Sequence, residues 1–185
     1  MPSVSNPLPR GQTHDNDTLP HCLGMEKVFP DTDGSASRPP RPVLSGMSVT
    51  CRYVENGEGA ALAPGRVVRH EDSKTGNDLI KYVEYVENVA DTVVGIVDDH
   101  LPTAGAASGK NFWVVTEGPT RVYGAATGAA QAWIIPHATD GSVNTFATGG
   151  TVDTLDDVAN VVGYQLVALA ASTLTRAVVC KAFRV

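Results

Sequence analysis

Few residues of this 185-residue chain stand at spacings that could do chemistry. The stretch Gly105-Ala106-Ala107-Ser108-Gly109-Lys110 has the glycines and lysine of a phosphate-binding loop, in which backbone amides cradle phosphate and the lysine reaches its outer oxygens. Its glycines stand one residue too close, Asn111 occupies the place of the Ser or Thr that would hold magnesium, and Phe112-Trp113-Val114-Val115 reads as a strand where a helix should follow. Nucleotide binding is therefore not expected. His14, His21 and Cys22 are residue types that ligate zinc, but their spacing matches no recurrent zinc pattern and prolines break the segment. Asp98-Asp99-His100 sets two carboxylates beside an imidazole, a combination suited to acid–base work or a hard cation. Lying between a valine-rich stretch and Leu101-Pro102, it reads as a polar turn at a strand end. No GxSxG elbow, HExxH pair or activated cysteine setting is present. The expectation is no catalytic residue, no cofactor and no metal.

Composition narrows the classes further. Lys and Arg number 14 against 20 Asp and Glu, a net charge of −6, whereas a nucleic-acid binder needs cations to displace counterions from phosphates. Cys22, Cys51 and Cys180 lie far apart and outline no disulfide framework. The apolar stretch Leu166 to Ala171 is far short of the roughly 18 residues a membrane span needs, and prolines and polar residues interrupt any signal-like run in residues 1–30. Neither nucleic acid nor membrane is an expected partner, and synthesis in the cytoplasm is expected. Tyr82, Tyr85, Phe112, Trp113, Tyr123 and Trp133 could line a ligand pocket, but in a chain only 6% aromatic they read as core and interface anchors.

The elements that must carry these residues fall into two parts. Pro2, Pro7, Pro9, Pro20, Pro30, Pro39, Pro40 and Pro42 crowd the first 42 residues, where each fixes φ and removes a backbone donor. Residues 1–46 read as an extended proline-rich arm, either a disordered tail or a segment ordered by a neighbouring subunit. Leu19, Leu23, Met25, Val28, Phe29, Val43 and Leu44 are more apolar side chains than a solvating tail needs, which favours the neighbour. Leu23, Val28, Phe29, Pro39, Pro40, Arg41 and Pro42 are the candidate assembly contacts. Residues 47–185 read as a β-rich domain, with strands expected at 48–54, 66–70, 79–86, 92–97, 111–117, 120–123, 132–135, 161–168 and 175–184 and a helical turn or two near 153–160. The fold class is all-β, a compact antiparallel barrel or sandwich of jelly-roll or β-tulip type. Val93-Val94-Gly95 and Val161-Val162-Gly163 echo one another, each followed by a small-residue loop and a second valine pair. Each glycine is expected where another backbone comes close. Trp113, Val115, Val94, Ile96, Val162 and Val179 are the expected core.

The body resembles the capsid decoration, or cement, proteins of tailed bacteriophages. The resemblance spans roughly residues 60–185. It rests on Pro64-Gly65-Arg66-Val67-Val68, on Val93-Val94-Gly95-Ile96-Val97, on the run from Phe112 to Val122 read as a hairpin turning at Gly118, and on Val161-Val162-Gly163-Tyr164. What it implies is a non-enzymatic virion protein on the outer surface of an icosahedral head. It would act as a homotrimer, or a dimer, that ties major capsid protein subunits together. A tail or fibre component and a small-ligand-binding β-barrel are the alternatives.

Overall fold

The computed structural model describes residues 8–15, 22–36, 41–88, 91–137, 140–145 and 161–180. Among them run eleven strands: β1 (His14–Asp15), β2 (Glu26–Thr32), β3 (Val43–Asn56), β4 (Val67–His70), β5 (Tyr82–Tyr85), β6 (Val93–Val97), β7 (Lys110–Tyr123), β8 (Trp133–Pro136), β9 (Val143–Thr145), β10 (Gly163–Gln165) and β11 (Leu174–Val179). The protein is all-β, as its composition and patterning indicate. The expected helical turn near 153–160 and the end of the last expected strand lie outside the described residues.

All strands belong to one mixed sheet. Within it β3, β5, β4, β6 and β7 pair in sequence, and β7 pairs back to β3, so these five strands close into a ring. The β3–β5 pair is parallel and the other pairs in the ring are antiparallel. Period-two alternation gives the ring its two faces. On β7, Phe112 and Val114 join one apolar cluster with Val54, Val68, Val83, Val94 and Val97. Every strand of the ring contributes to it, so it is the packing of the ring's interior. Trp113 and Val115, on the opposite face, join a second cluster with Cys51, Tyr53, Ile96, Ile134, Val162, Ala177 and Val179. That cluster joins the outside of the ring to the leaf built from β7, β11, β10, β8 and β9. All six expected core residues are buried.

Gly118 is not a hairpin turn. β7 continues through it as one strand, and the residue takes φ +98°, a backbone conformation that favours glycine. Residues 111–117 pair with β3 and residues 118–123 with β11, so Gly118 is where the strand passes from one partner to the other. A Cβ at 118 would also lie 2.4 Å from the Ser48 carbonyl oxygen. The two echo glycines behave as expected. A Cβ on Gly95 would lie 2.3 Å from the Val115 oxygen and one on Gly163 1.9 Å from the Val178 oxygen, each on the antiparallel partner strand that follows in sequence.

The described part of residues 1–46 is extended, but it lies on its own chain. β2 pairs antiparallel with β3 from Glu26↔Arg52 to Thr32↔Val43, and β1 pairs with the start of β7. The missed strand β2 carries Pro30, which a sheet tolerates at its edge, and β2 is an edge strand here. Of the apolar side chains expected to need a neighbour, Leu23 and Phe29 pack against the second cluster, Met25, Val28, Val43 and Leu44 stand exposed, and Leu19 lies outside the described residues. Leu8 is fully buried in the second cluster, and its carbonyl accepts a hydrogen bond from Trp113 Nε1 at 3.1 Å. Phe29 meets the Trp113 ring edge-on at 5.1 Å, and the Tyr53 ring lies tilted to it at 5.0 Å. Trp113 is thus the point where ring, leaf and N-terminal segment converge. Trp113→Ala should destabilise the fold by about 3–5 kcal/mol, read as a lowered denaturant midpoint; an unshifted midpoint would contradict this packing.

Candidate functional site

Valine-rich strands need no charge, yet β7 and β11 place Arg121 and Arg176 directly opposite one another in their ladder. Like charges at such positions repel. Each guanidinium is neutralised by a carboxylate from elsewhere: Arg121 Nε donates to Asp99 Oδ2 at 2.9 Å, and Arg176 donates to both oxygens of Asp31 at 3.0 and 2.7 Å. Asp31 belongs to β2 and also accepts from the Ser45 hydroxyl. Asp99 follows β6 with Asp98 and His100, all three buried. Arg10 bridges the two acids, donating through Nε and Nη2 to Asp98 Oδ1 and through Nη2 to Asp99 Oδ1. The amides of Gly11 and His100 complete the shell of Asp98. The result is one polar chain, Asp31–Arg176–Arg121–Asp99–Arg10–Asp98, that ties the N-terminal segment to the middle and the end of the protein.

This arrangement gives Asp98-Asp99-His100 a structural part in the fold. Its donor atoms lie within 4.8 Å of one another, close enough to suit a cation. All four carboxylate oxygens, however, accept hydrogen bonds, and two guanidinium groups already supply the positive charge. A metal ion would have to displace both arginines, so the cluster fits a structural role. His100 Nε2 lies 3.2 Å from the Thr32 carbonyl of β2. Burial, with Arg10 and Arg41 nearby, holds its imidazole below the ordinary pKa against the pull of Asp98 and Asp99. For Asp31, burial works to raise the pKa, but the hydrogen bonds from Arg176 and Ser45 outweigh it and hold the carboxyl below the usual range.

The glycine–lysine stretch is a loop between β6 and β7, four of whose six backbone amides are already used. Gly105, Ala106, Gly109 and Lys110 donate to carbonyls of Pro102, Leu62, Asn56 and Ala107, and the Lys110 ammonium pairs with Asp15. The row of free amides that a phosphate-binding loop needs is thereby broken up. His14 stands on β1 and Cys22 in a turn before β2, while His21 lies outside the described residues.

The candidate assembly residues part company. Leu23 packs partly buried against the main cluster, and Phe29 is committed to Trp113. Val28 faces out from β2, 61% exposed. Pro42 is exposed, and its carbonyl accepts from the Asp33 amide. Arg41 lines a cavity of about 260 Å³ with Pro9, Arg10, Phe29, Pro30, Thr32 and His100. Pro39 and Pro40 lie outside the described residues. A larger groove of about 480 Å³ runs beside Val28, bounded by Met47, Ser48, Thr50, Glu117, Gly118 and the end of β11, Val178–Cys180. Val43, Leu44 and Met47 stand exposed on the same β2–β3 ribbon, at the bulge where the register jumps between Pro30 and Thr32. A second apolar patch lies on the leaf. Trp133 and Tyr164 face each other across β8 and β10 with rings 5.9 Å apart, and Leu166 and Val167 follow. Met47, Tyr164, Leu166 and Val167 on these surfaces were not singled out from sequence, whereas Trp133 was read as a core or interface anchor. The polar chain was missed too, although arginines inside valine-rich strands were a signal of it.

No family model matches the chain, and no curated protein matches it. Among solved structures, the head fiber gp8.5 N base in bacteriophage phi29 aligns at 10% sequence identity and a TM-score of 0.46, covering 72% of this chain and 95% of that one. A likeness of that degree does not define a common fold.

Removing one member of the polar chain leaves a buried charge unmatched. Asp98→Asn should therefore cost about 3–5 kcal/mol, measured by chemical denaturation at neutral pH. Because folded His100 stays neutral below its ordinary pKa, the unfolded chain binds more protons as pH falls below about 6.5, and stability drops in that window. Asp31 acts in a separate one: its contribution is present above about pH 4 and is lost as pH falls through its lower folded value. His100→Gln should flatten the slope of stability against pH just below about 6.5 while leaving the acid limb in place; an unchanged slope would refute the buried neutral imidazole.

Proposed function

We propose that this chain is a non-enzymatic virion protein that decorates the outer surface of an icosahedral phage head and ties neighbouring major capsid protein subunits together. The observation that carries the reading is the exposed apolar ribbon of β2 and β3. Val28, Val43, Leu44 and Met47 are 61%, 66%, 48% and 49% exposed, beside a groove open to the end of β11. Several large apolar side chains exposed on one ribbon of an acidic protein suit a contact with another macromolecule. The resemblance of residues 60–185 to cement proteins supports the choice of partner.

The reading includes assembly as a homotrimer. A ring of three uses heterologous contacts, in which one patch meets a different patch on the next copy. The Trp133–Tyr164 patch supplies such a second surface, separated from the ribbon by β7 and β11. Several weak contacts held on one oligomer act at high effective concentration, so a trimer would hold the shell far more tightly than one copy. Mechanical stabilisation of that kind needs no catalysis. The negative charge suits a surface away from packaged DNA.

The test is to compare heads with and without the protein by density mapping and by heat-induced release of DNA. Density on the outer shell and release at a lower temperature in its absence are expected. Met47→Glu together with Val28→Glu should abolish head binding while shifting the melting temperature of the free protein little, since both side chains already face solvent. Density on the tail or inside the head, or heads equally robust without the protein, would reject the reading.

A further inference from the structure

The N-terminal segment closes around one imidazole of the β domain. His100, in the turn after β6, is 6% exposed, and three pieces of the segment pack against it. Gly11 passes so closely that a Cβ there would lie 2.7 Å from the His100 oxygen and 3.1 Å from its Cβ. A Cβ on Gly34 would lie 2.8 Å from the ring's Cδ2, and the ring's Nε2 lies 3.2 Å from the Thr32 carbonyl oxygen. A proton added to this ring finds no free counter-charge. On its own turn, Asp98 and Asp99 are already bonded to Arg10 of the segment, and Asp99 to Arg121 of β7 as well. Asp33, just past β2, accepts from the amide and hydroxyl of Ser35. Arg41, which lines a shallow open cavity with the ring, adds a further positive charge. That cavity meets solvent between Pro9 and Phe29, so the segment and the turn can part there without unfolding the ring of strands or the leaf.

From this we propose that His100 is a proton-sensitive latch on the N-terminal segment: in mild acid, residues 8–15 and β2 come away from the body while the ring of strands and the leaf stay folded. The opened form gives the imidazole to water and takes up the proton that the closed form refuses. Opening is therefore favoured by up to about tenfold for each pH unit below about 6.5, until the closed form is protonated too. Asp31 and Arg176, the next pair along the polar chain, do not take part in this window, because their hydrogen bonds hold the Asp31 carboxyl below the usual carboxylate range. β2 carries Val28, so opening also dismantles the exposed ribbon and releases whatever the ribbon binds. The inference concerns the fastening of the segment and does not depend on the identity of that partner.

The experiment is amide hydrogen exchange on the full-length protein between about pH 7.5 and 5.5, with rates corrected for the intrinsic effect of pH. Protection of Gly11 and of the β2 amides should fall below about pH 6.5, by up to about tenfold per unit, while the β7 amides bonded to β11 keep theirs. In His100→Gln the fall should disappear. NMR titration of the histidines in the unmutated protein carries the test without a variant: the His100 ring signal should have its midpoint below about 6.5, and Gly11 should lose protection over the same range. Protection unchanged across the range, or a His100 ring that titrates at or above its ordinary value with the segment closed, would overturn the proposal. So would β7 losing protection in step with Gly11, or a fall that persists in His100→Gln and so belongs to another group such as His14 of β1.

Discussion

Two arginines facing one another across a ladder make a demand that the rest of the chain has to meet. Arg121 and Arg176 are opposite neighbours on β7 and β11, on strands whose other face is apolar core. Their charges cannot be left unmatched beside that core. Asp99 answers one and Asp31 the other, and Asp99 with Asp98 is in turn answered by Arg10. Two of these groups, Arg10 and Asp31, stand within the first 46 residues. A stretch whose prolines read as an independent arm is therefore held to the body by charge, and Leu8 and Phe29 then close over Trp113.

Once the N-terminal segment is fixed in this way, the outer surface is fixed with it. β2 becomes the edge of the sheet, and the bulge after Pro30 together with the proline's missing donor makes that edge a poor template for adding another strand. Contacts made there must come from side chains, and the ribbon offers Val28, Val43, Leu44 and Met47. The same fastening brings Pro9 and Arg10 together with Phe29, Pro30, Thr32 and Arg41 around a shallow open cavity. One electrostatic constraint thus shapes the ribbon from which function is inferred.

Much of the β domain was legible because its signals are local. Valine or isoleucine pairs mark β4, β6, β8 and the first half of β7, and Gly95 and Gly163 show their close backbone approaches through the strands around them. What failed was whatever depends on distant partners. Gly118-Pro119 has the composition of a turn, and only the change of partner from β3 to β11 explains why the strand runs on. β2 was hidden by Pro30 and by its acidic and basic residues, which an edge strand accommodates. Asp98-Asp99-His100 reads as a polar turn until Arg10, 88 residues away, and Arg121 are beside it; Asp31 meets Arg176 across 145 residues. Of the candidate contacts, Val28 faces solvent, whereas Phe29, of the same apolar character in sequence, turns inward.

Amide hydrogen exchange on the full-length protein tests the central claim most directly, because it reads the N-terminal segment and the β domain in one experiment. The Gly11 amide, bonded to Asp98, and the β2 amides bonded to β3 should be protected in the same range as those of β7, and Asp98→Asn should release Gly11 and β2 together. Exchange of Gly11 and β2 at the rate of an unstructured chain, beside a fully protected β7, would show that the segment is not held by these charges and would contradict the account.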